Sequence, residues 1–308
     1  MRPILIRLPW INLPLFGFGI MLLCGFLAGL YLANRRARKI GLPEGLIDDL
    51  ALWIIIGGLV GARGFYLIQH WQRVGFRGPL DLLALWQGGI VFYGSVIGGV
   101  VSILIYWKLR PFPLLATLDV LAPAVALGVG IGRLGCFLNG CCYGDVCSLP
   151  WALRFPPGSD VWWHQIRTGE LAGISMAVID QVERGIIPAT TVWSLPVHPT
   201  QLYSAIDGFV LCAVLSAYFP LRKRDGQVIA LFMMLYPVTR FLIEQLRSDE
   251  AAIFLGMTIS QSISLAVLLG GAALFLWLHR LPPQRFEDRD DPTLATDAPA
   301  PIRAGSSV

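Results

Sequence analysis

A chain of 308 residues with 55% apolar side chains, 14% charged ones and a mean hydropathy of +0.64 lies far from a soluble domain, in which about a quarter of residues are charged. Lipid is the expected solvent for most of it. The formal charge of +4 is small and the basic residues come in short clusters beside apolar runs, which argues against a nucleic-acid footprint and for membrane-orientation signals.

A spanning helix needs about 20 mainly apolar residues. Seven such runs follow one another, at residues 14–34, 47–69, 88–107, 115–135, 200–219, 227–246 and 256–278. The expected fold is therefore all-α, a polytopic membrane protein of about seven transmembrane helices. The first run is longer than a signal-peptide core, lacks a small-x-small cleavage site and passes straight into "NRRARK" (34–39), so it is expected to stay attached as a span. Cys24, in "MLLCG", lacks the small residues that precede a lipoprotein cleavage cysteine and is expected to pack as an apolar side chain.

Lys and Arg accumulate on the cytoplasmic side of short loops. "NRRARK" follows the first run, Lys108 and Arg110 the third, "RKR" (222–224) the fifth and "HRLPPQR" (279–285) the seventh. An N-terminus outside and a C-terminus in the cytoplasm satisfy all four clusters. The insert at about 145–197, between the fourth and fifth spans, then lies outside. It carries Asp145, Asp160, Glu170, Asp180 and Glu183 against Arg154, Arg167 and Arg184, the bias of an exterior loop. Its "VWWHQ" (161–165) and a short helix around "ELAGISMAVIDQVERG" suggest an interfacial lid or arm. Residues 1–285 are expected to form a single membrane-embedded domain. The polar, proline-containing tail 286–308 buries nothing and is expected to be disordered in the cytoplasm.

Ionisable residues inside spans are costly and point to function unless a bundle contact explains them. The set is Arg63, Asp119, Arg133, Arg240, Glu244 and Arg247. In "LYPVTRFLIEQLRS" (235–248), Tyr236, Arg240, Glu244 and Arg247 recur at helical spacings of four, four and three, which puts them on one face. They form either a self-neutralising ladder or a polar stripe facing a cavity. A mid-span arginine such as Arg240, which is desolvated with no evident gain, favours the cavity.

"GRLGCFLNGCCYG" (132–144) holds Arg133 among small residues, Gly128, Gly130, Gly132 and Gly135. Small residues let helices approach; they also let a phosphate reach the backbone. Two arginines from different spans on one cavity suit an anionic head group, because guanidinium grips phosphate through two parallel hydrogen bonds. Cys136, Cys141, Cys142 and Cys147 follow at steps of five, one and five, with no patterned histidine. No metal is expected from that spacing. A disulfide or plain packing at an exterior face is favoured, with a catalytic thiol lowered by Arg133 second.

"VHPTQLYS" (197–204) opens the fifth span with a proline in the first turn. His198 and Thr200 either cap that helix, with Gln201 and Tyr203 bridging helices, or all serve a substrate. "GGIVFYGSVIGGV" (88–100) sets Tyr93 and Ser95 among five glycines, a close-packing face or a cavity wall.

Together these segments resemble the prolipoprotein diacylglyceryl transferase family of bacterial inner membranes, over about residues 10–280. "GRLGCFLNGCCYG" is similar to the family's Gly-Arg, glycine and Asn-Gly pattern, "HPTQLY" to its His-Pro-Ser/Thr-Gln-Leu-Tyr, and "YPVTRFLIEQLR" to its Tyr, Arg, Glu, Arg series. The resemblance implies transfer of diacylglycerol from phosphatidylglycerol to the lipobox cysteine of a secreted prolipoprotein signal peptide, with release of glycerol phosphate and no cofactor. It implies that Arg133 and Arg240 are the essential pair. By the same similarity Asn139 and Tyr236 are head-group or helix-bridging contacts, Glu244 orients Arg240 or Arg247, and Gly144, His198, Gln201 and Tyr203 line the substrate site. The family's usual His-Gly-Gly is Tyr93-Gly94-Ser95 here, its acid after Asn-Gly is Cys141 and a usual Asn is Cys136. Cysteine-rich forms of the motif occur in the family. Tyr93, with a reference pKa near 10, is a poorer base than histidine at neutral pH. The thiols also suit a relative with a changed acceptor or a thiol-dependent step. A non-catalytic lipid-binding protein would share the lipid site; no inverted repeat or pair of broken helices suggests transport.

Overall fold

A computed structural model describes residues 4–8, 13–71, 91–155, 176–188, 190–191, 193–247 and 256–288. The "VWWHQ" segment, Asp160, Arg167, Glu170, the first residues of the third apolar run and the tail from 289 lie outside the described residues.

An antiparallel hairpin, β1 (Ile4–Leu8) and β2 (Leu13–Phe16), comes first, so the chain is not wholly helical. Pro14, paired with Arg7, explains why the first helix starts later than its apolar run. Proline lacks the N–H a helix interior needs but sits on an edge strand without loss. Among the described residues eight α-helices follow: α1 (Gly17–Lys39), α2 (Leu46–Gln69), α3 (Phe92–Leu109), α4 (Leu114–Asn139), α5 (Met176–Glu183), α6 (Thr200–Tyr218), α7 (Gln227–Glu244) and α8 (Ile259–Arg280). Six of them, α1, α2, α4, α6, α7 and α8, are long and apolar enough to cross a membrane; α3 is apolar but shorter, over Tyr93–Leu109. Large apolar side chains stand exposed along them, among them Leu22, Leu23, Ile68, Ile206, Leu269 and Leu276. Faces this apolar are stable in lipid and not in water. The protein is a multi-pass helical membrane protein.

The chain divides into two compact units, Met1–Leu32 with Leu118–Arg285 and Ala33–Thr117 with Phe286–Val308. In the second unit α2 and α3 meet through two small-x-x-x-small stripes, Gly57 and Gly61 on one helix, Gly94 and Gly98 on the other. A Cβ on Gly61 would lie 2.8 Å from the Cα of Gly98. The glycines around Tyr93 are thus a helix-packing face. Arg36, Arg38 and Lys39 of "NRRARK" form the last turn of α1, where cations complement the helix dipole.

In the first unit α4 approaches both α1 and α6 closely. A Cβ on Gly25 would come 3.1 Å from the Gly128 carbonyl of α4, and one on Gly208 of α6 would come 2.7 Å from the Gly130 Cα. Asp119, fully buried on α4, has a structural task. Its carboxylate accepts from the N–H groups of Gly226, Val228 and Ile229 at 2.7, 2.9 and 2.9 Å, capping α7 from a neighbouring helix. Arg222 stands 3.7 Å from the same carboxylate and is equally buried. One member of the "RKR" cluster is therefore an interior ion-pair partner and not a loop charge.

Candidate functional site

The helix that bears Arg133 runs on past its apolar stretch to Asn139. It stops at Gly140, whose φ of +82° is the left-handed conformation that ends helices. The Cys136 carbonyl then accepts two N–H groups, from Gly140 at 2.9 Å and Cys141 at 3.2 Å. That turn folds the chain back over the last turn of α4. Cys142 also has a positive φ, +61°, which costs a non-glycine residue about 1 kcal/mol. Interactions from α6 hold it there.

Thr200 and Gln201, both buried in the first turn of α6, do not cap their own helix. Thr200 Oγ1 donates to the Cys142 carbonyl and Gln201 Nε2 to the Cys141 carbonyl, each at 2.7 Å. A short ribbon continues the contact: Gly144 N–H donates to the His198 carbonyl at 2.9 Å, His198 N–H to the Asp145 carbonyl at 3.0 Å, and Cys147 N–H to the Pro196 carbonyl at 2.9 Å. Asp145 N–H turns the other way and donates to Leu246, just beyond α7, at 2.8 Å. Segments 132–144, 197–204 and 235–247 are thereby stitched together by backbone hydrogen bonds.

Gly144 is the pin of that stitch. A Cβ on it would lie 2.5 Å from the Leu246 carbonyl and 2.8 Å from both His198 Cβ and Thr200 Cγ2. Backbone must move to admit one. Gly144→Ala is expected to cost about 1–3 kcal/mol, the range for overpacking, read as a lower thermal unfolding midpoint in detergent.

Two charged groups of the motifs bear on one spot. Arg133, half-buried, makes no hydrogen bond or ion pair with any described residue, and beside it Gly132 faces open space. Arg247 and Arg133 both act electrostatically on the Cys142 thiol. Arg240 is engaged otherwise. Its Nη1 forms an ion pair with buried Glu244 one turn on, and its Nη2 donates to Ser260 of α8 at 2.8 Å. The predicted stripe is therefore divided: Arg240 and Glu244 neutralise each other on α7, and Arg247, beyond the helix end, acts electrostatically on the Cys142 thiol.

The remaining residues fall around this core. His198 is half-buried, its Nδ1 makes no hydrogen bond among the described residues, and its ring meets Tyr203 edge-on at 6.2 Å. Tyr203 Oη accepts from Trp151 of the insert at 2.8 Å. Asn139 is the last residue of α4, and Tyr236 stacks on Phe232 within α7. Tyr93 belongs to the other unit, in the first turn of α3, and is not among the residues the ribbon gathers. The described insert packs onto the loop: Tyr143 lies against Phe155, which is buried with Ala177 and Val197, and Arg184 pairs with Asp145 at 3.0 Å. α5 forms within the stretch expected to be helical.

All six cysteines are free thiols. The Sγ atoms of Cys136, Cys141 and Cys142 lie within 4.8 Å of one another, although steps of five and one did not suggest a cluster. The Asn139-Gly140 step, a helix stop, was the signal that the chain doubles back there. Hydrogen bonds from the Cys136 and Cys141 thiols, then the charges of Arg247 and Arg133, push the Cys142 thiol down; the same bonds push Cys141 up. Sequence reasoning passed over Asp207, a carboxylate inside the fifth span that accepts from Thr239 at 2.9 Å and ties α6 to α7. A charge in an apolar run was the clue.

Comparison with known proteins covers nearly the whole chain. A family profile described as prolipoprotein diacylglyceryl transferase matches residues 3–277. The chain is 32% identical over 275 residues to a protein of Clostridium tetani named phosphatidylglycerol–prolipoprotein diacylglyceryl transferase, covering 89% of this chain and 97% of that one. Proteins of the same name from Photobacterium profundum (31% identity, 92% and 95% coverage) and Synechococcus elongatus (30%, 86% and 83%) are similar to it along nearly the same length. With the profile matching almost the whole length and relatives at 30–32% identity covering most of the chain, the chain belongs to the prolipoprotein diacylglyceryl transferase family.

Proposed function

We infer that this protein transfers the diacylglyceryl group of phosphatidylglycerol to the lipobox cysteine of prolipoproteins, a step of bacterial lipoprotein maturation. The residue assignment is supported by the charges of Arg133 and Arg247, more than a hundred residues apart in sequence, both acting on the Cys142 thiol, with open space at Gly132 next to Arg133. The substrate thiolate attacks the glycerol carbon that bears the phosphate. The carbon–oxygen bond breaks, and glycerol phosphate leaves with one more negative charge than it had as a diester.

Arginines that tighten on the phosphate as that charge develops lower the barrier, because interactions stronger in the transition state than in the ground state accelerate chemistry. Arg133 and Arg247 are assigned to the phosphate. Arg240, held by Glu244 and Ser260, is a positioning residue that keeps the α7 stripe in register with α8. Asn139, His198 and Tyr236 offer polar contacts to the glycerol head group. Gln201, Thr200 and Gly144 set the loop on which Arg133 acts.

The topology that agrees with the basic clusters has seven spans, α3 included, with the N-terminus outside, the C-terminus in the cytoplasm and the insert on the exterior side of the bacterial inner membrane. Residues 1–285 work as one membrane-embedded transferase domain in this reading. Membranes containing the protein, given head-group-distinguishable, acyl-labelled phosphatidylglycerol and a lipobox peptide, are expected to label the peptide only when it carries the cysteine and to release glycerol phosphate. An unlabelled cysteine peptide with well-folded protein would overturn the assignment.

A further inference from the structure

Lipid transfer to sulfur needs a thiolate, and Tyr93 stands where the family pattern has a histidine. The acceptor thiol needs a group that favours loss of its proton. The candidate is the cluster of Cys136, near the end of α4, with Cys141 and Cys142 just past it, whose sulfurs lie within 4.8 Å of one another, one helical turn on from Arg133.

We propose that Cys136, Cys141 and Cys142 form a zinc site whose fourth position takes the lipobox cysteine of the acceptor as a thiolate. The proposal rests on the transferase reading above and supplies its nucleophile. Zinc stands about 2.3 Å from a thiolate sulfur, so sulfurs sharing one ion lie roughly 3.8 Å apart. The three thiols need to close by at most about 1 Å to accept it. The spacing alone suggests no metal; the turn at Gly140 that folds the chain back over α4 is what brings the three thiols together. Among the described residues no fourth cysteine, histidine or carboxylate joins the group. Three protein ligands and one open position are the arrangement of a catalytic zinc site, whereas structural sites close with four.

Charge and placement agree. Three thiolates and Zn²⁺ carry one net negative charge, and a bound acceptor thiolate makes two. Arg133 and Arg247, both acting on Cys142, offset two negative charges. Two restraints hold the loop in this form: the positive φ of Cys142, and the hydrogen bonds from Thr200 and Gln201 to the Cys142 and Cys141 carbonyls.

Metal coordination activates a nucleophile without a side-chain base. The acceptor R–SH binds zinc as RS⁻ and gives its proton to water. A sulfur lone pair then forms the S–C bond to the glycerol carbon, the C–O bond to phosphate breaks with its electron pair on oxygen, and the thioether leaves the zinc. No oxidant or reductant is involved.

The test uses the full-length protein purified in detergent through a tag that binds no metal. Wild type is expected to retain one zinc per chain after dialysis, and the Cys136→Ser/Cys141→Ser/Cys142→Ser variant none. Cobalt-substituted wild type is expected to show thiolate-to-cobalt absorption that changes on adding a lipobox peptide and not on adding its serine counterpart. Stripping the metal is expected to slow transfer about a hundredfold, the scale of losing general-base activation, with recovery on adding zinc. Zinc absent from wild type, zinc kept by the triple-serine variant, a cobalt spectrum indifferent to the cysteine peptide, or full transfer by stripped protein would each overturn the site. Full transfer by stripped protein leaves the transferase reading standing. A cobalt response with no transfer under any condition supports the site and removes the transferase reading instead.

Discussion

Arg133→Lys is expected to lower kcat/KM for diacylglyceryl transfer by about 10²–10³-fold, the scale of losing one preorganised donor to a developing oxyanion, with little change in thermal midpoint. Arg133 has no hydrogen bond or ion pair among the described residues, so its removal orphans no described partner. Lysine keeps the charge and loses the planar fork that grips a phosphate through two bonds. A loss confined to KM would mean that the arginine binds the lipid equally in ground and transition states, against the assignment. Arg240→Ala offers the contrast. It strips the counter-charge from Glu244, which is buried, and so is expected to lower stability together with activity. Measuring the unfolding midpoint beside the transfer rate of each variant separates the arginine that touches phosphate from the one that holds a helix.

The helices were legible because lipid imposes a simple rule: about 20 apolar residues per crossing, with charges at the ends. The seven apolar runs reappear as α1 to α4 and α6 to α8, shifted at their ends by a few residues. The shifts have physical causes. α1 starts late because Pro14 pairs in a hairpin, and it ends late because Arg36, Arg38 and Lys39 continue the helix and complement its dipole. The three motif segments were also legible, from charge inside apolar runs. Their partnerships were not, because an i,i+4 period reports which residues share a face and not which neighbour that face meets. The spacing puts Arg240, Glu244 and Arg247 on one face, but α7 ends at Glu244: Glu244 and Ser260 take Arg240 within the helix bundle, while Arg247, beyond the helix end, acts electrostatically on the Cys142 thiol. The thiol cluster escaped for a related reason. Cys136 and Cys142 are brought together by the left-handed turn at Gly140 and by hydrogen bonds from a helix that begins some sixty residues later.

Asp119→Ala is expected to cost about 3–5 kcal/mol, the range for breaking a buried charge network by removing one partner. Three backbone N–H groups at the start of α7 lose their acceptor, and Arg222, 1% exposed at its side chain, loses a carboxylate 3.7 Å away. The N–H groups of Gly226 and Val228 are buried and left without an acceptor, while Arg222 keeps the Asp225 carboxylate at 3.9 Å and the Phe219 carbonyl at 2.7 Å. The loss should appear as a lower unfolding midpoint in detergent. Asp119→Asn keeps one acceptor oxygen and is expected to lose less. Arg222→Leu in the Asp119→Ala background is expected to cost less than the sum of the two single substitutions, since the second change removes a cation already stranded by the first. Additive losses would mean that Arg222 is held by its stacking on Phe219, 3.9 Å to the ring centroid, and by its bond to the Phe219 carbonyl, and not by Asp119. The folded fraction of Asp119→Asn should retain the wild-type kcat. α7 has 18 residues between the capped end and the Arg240–Glu244 end, a separation of about 27 Å at 1.5 Å per residue. A kcat that falls in step with stability would instead tie the cap to the chemistry, through a tilt of α7 that carries Arg247 away from the Cys142 loop.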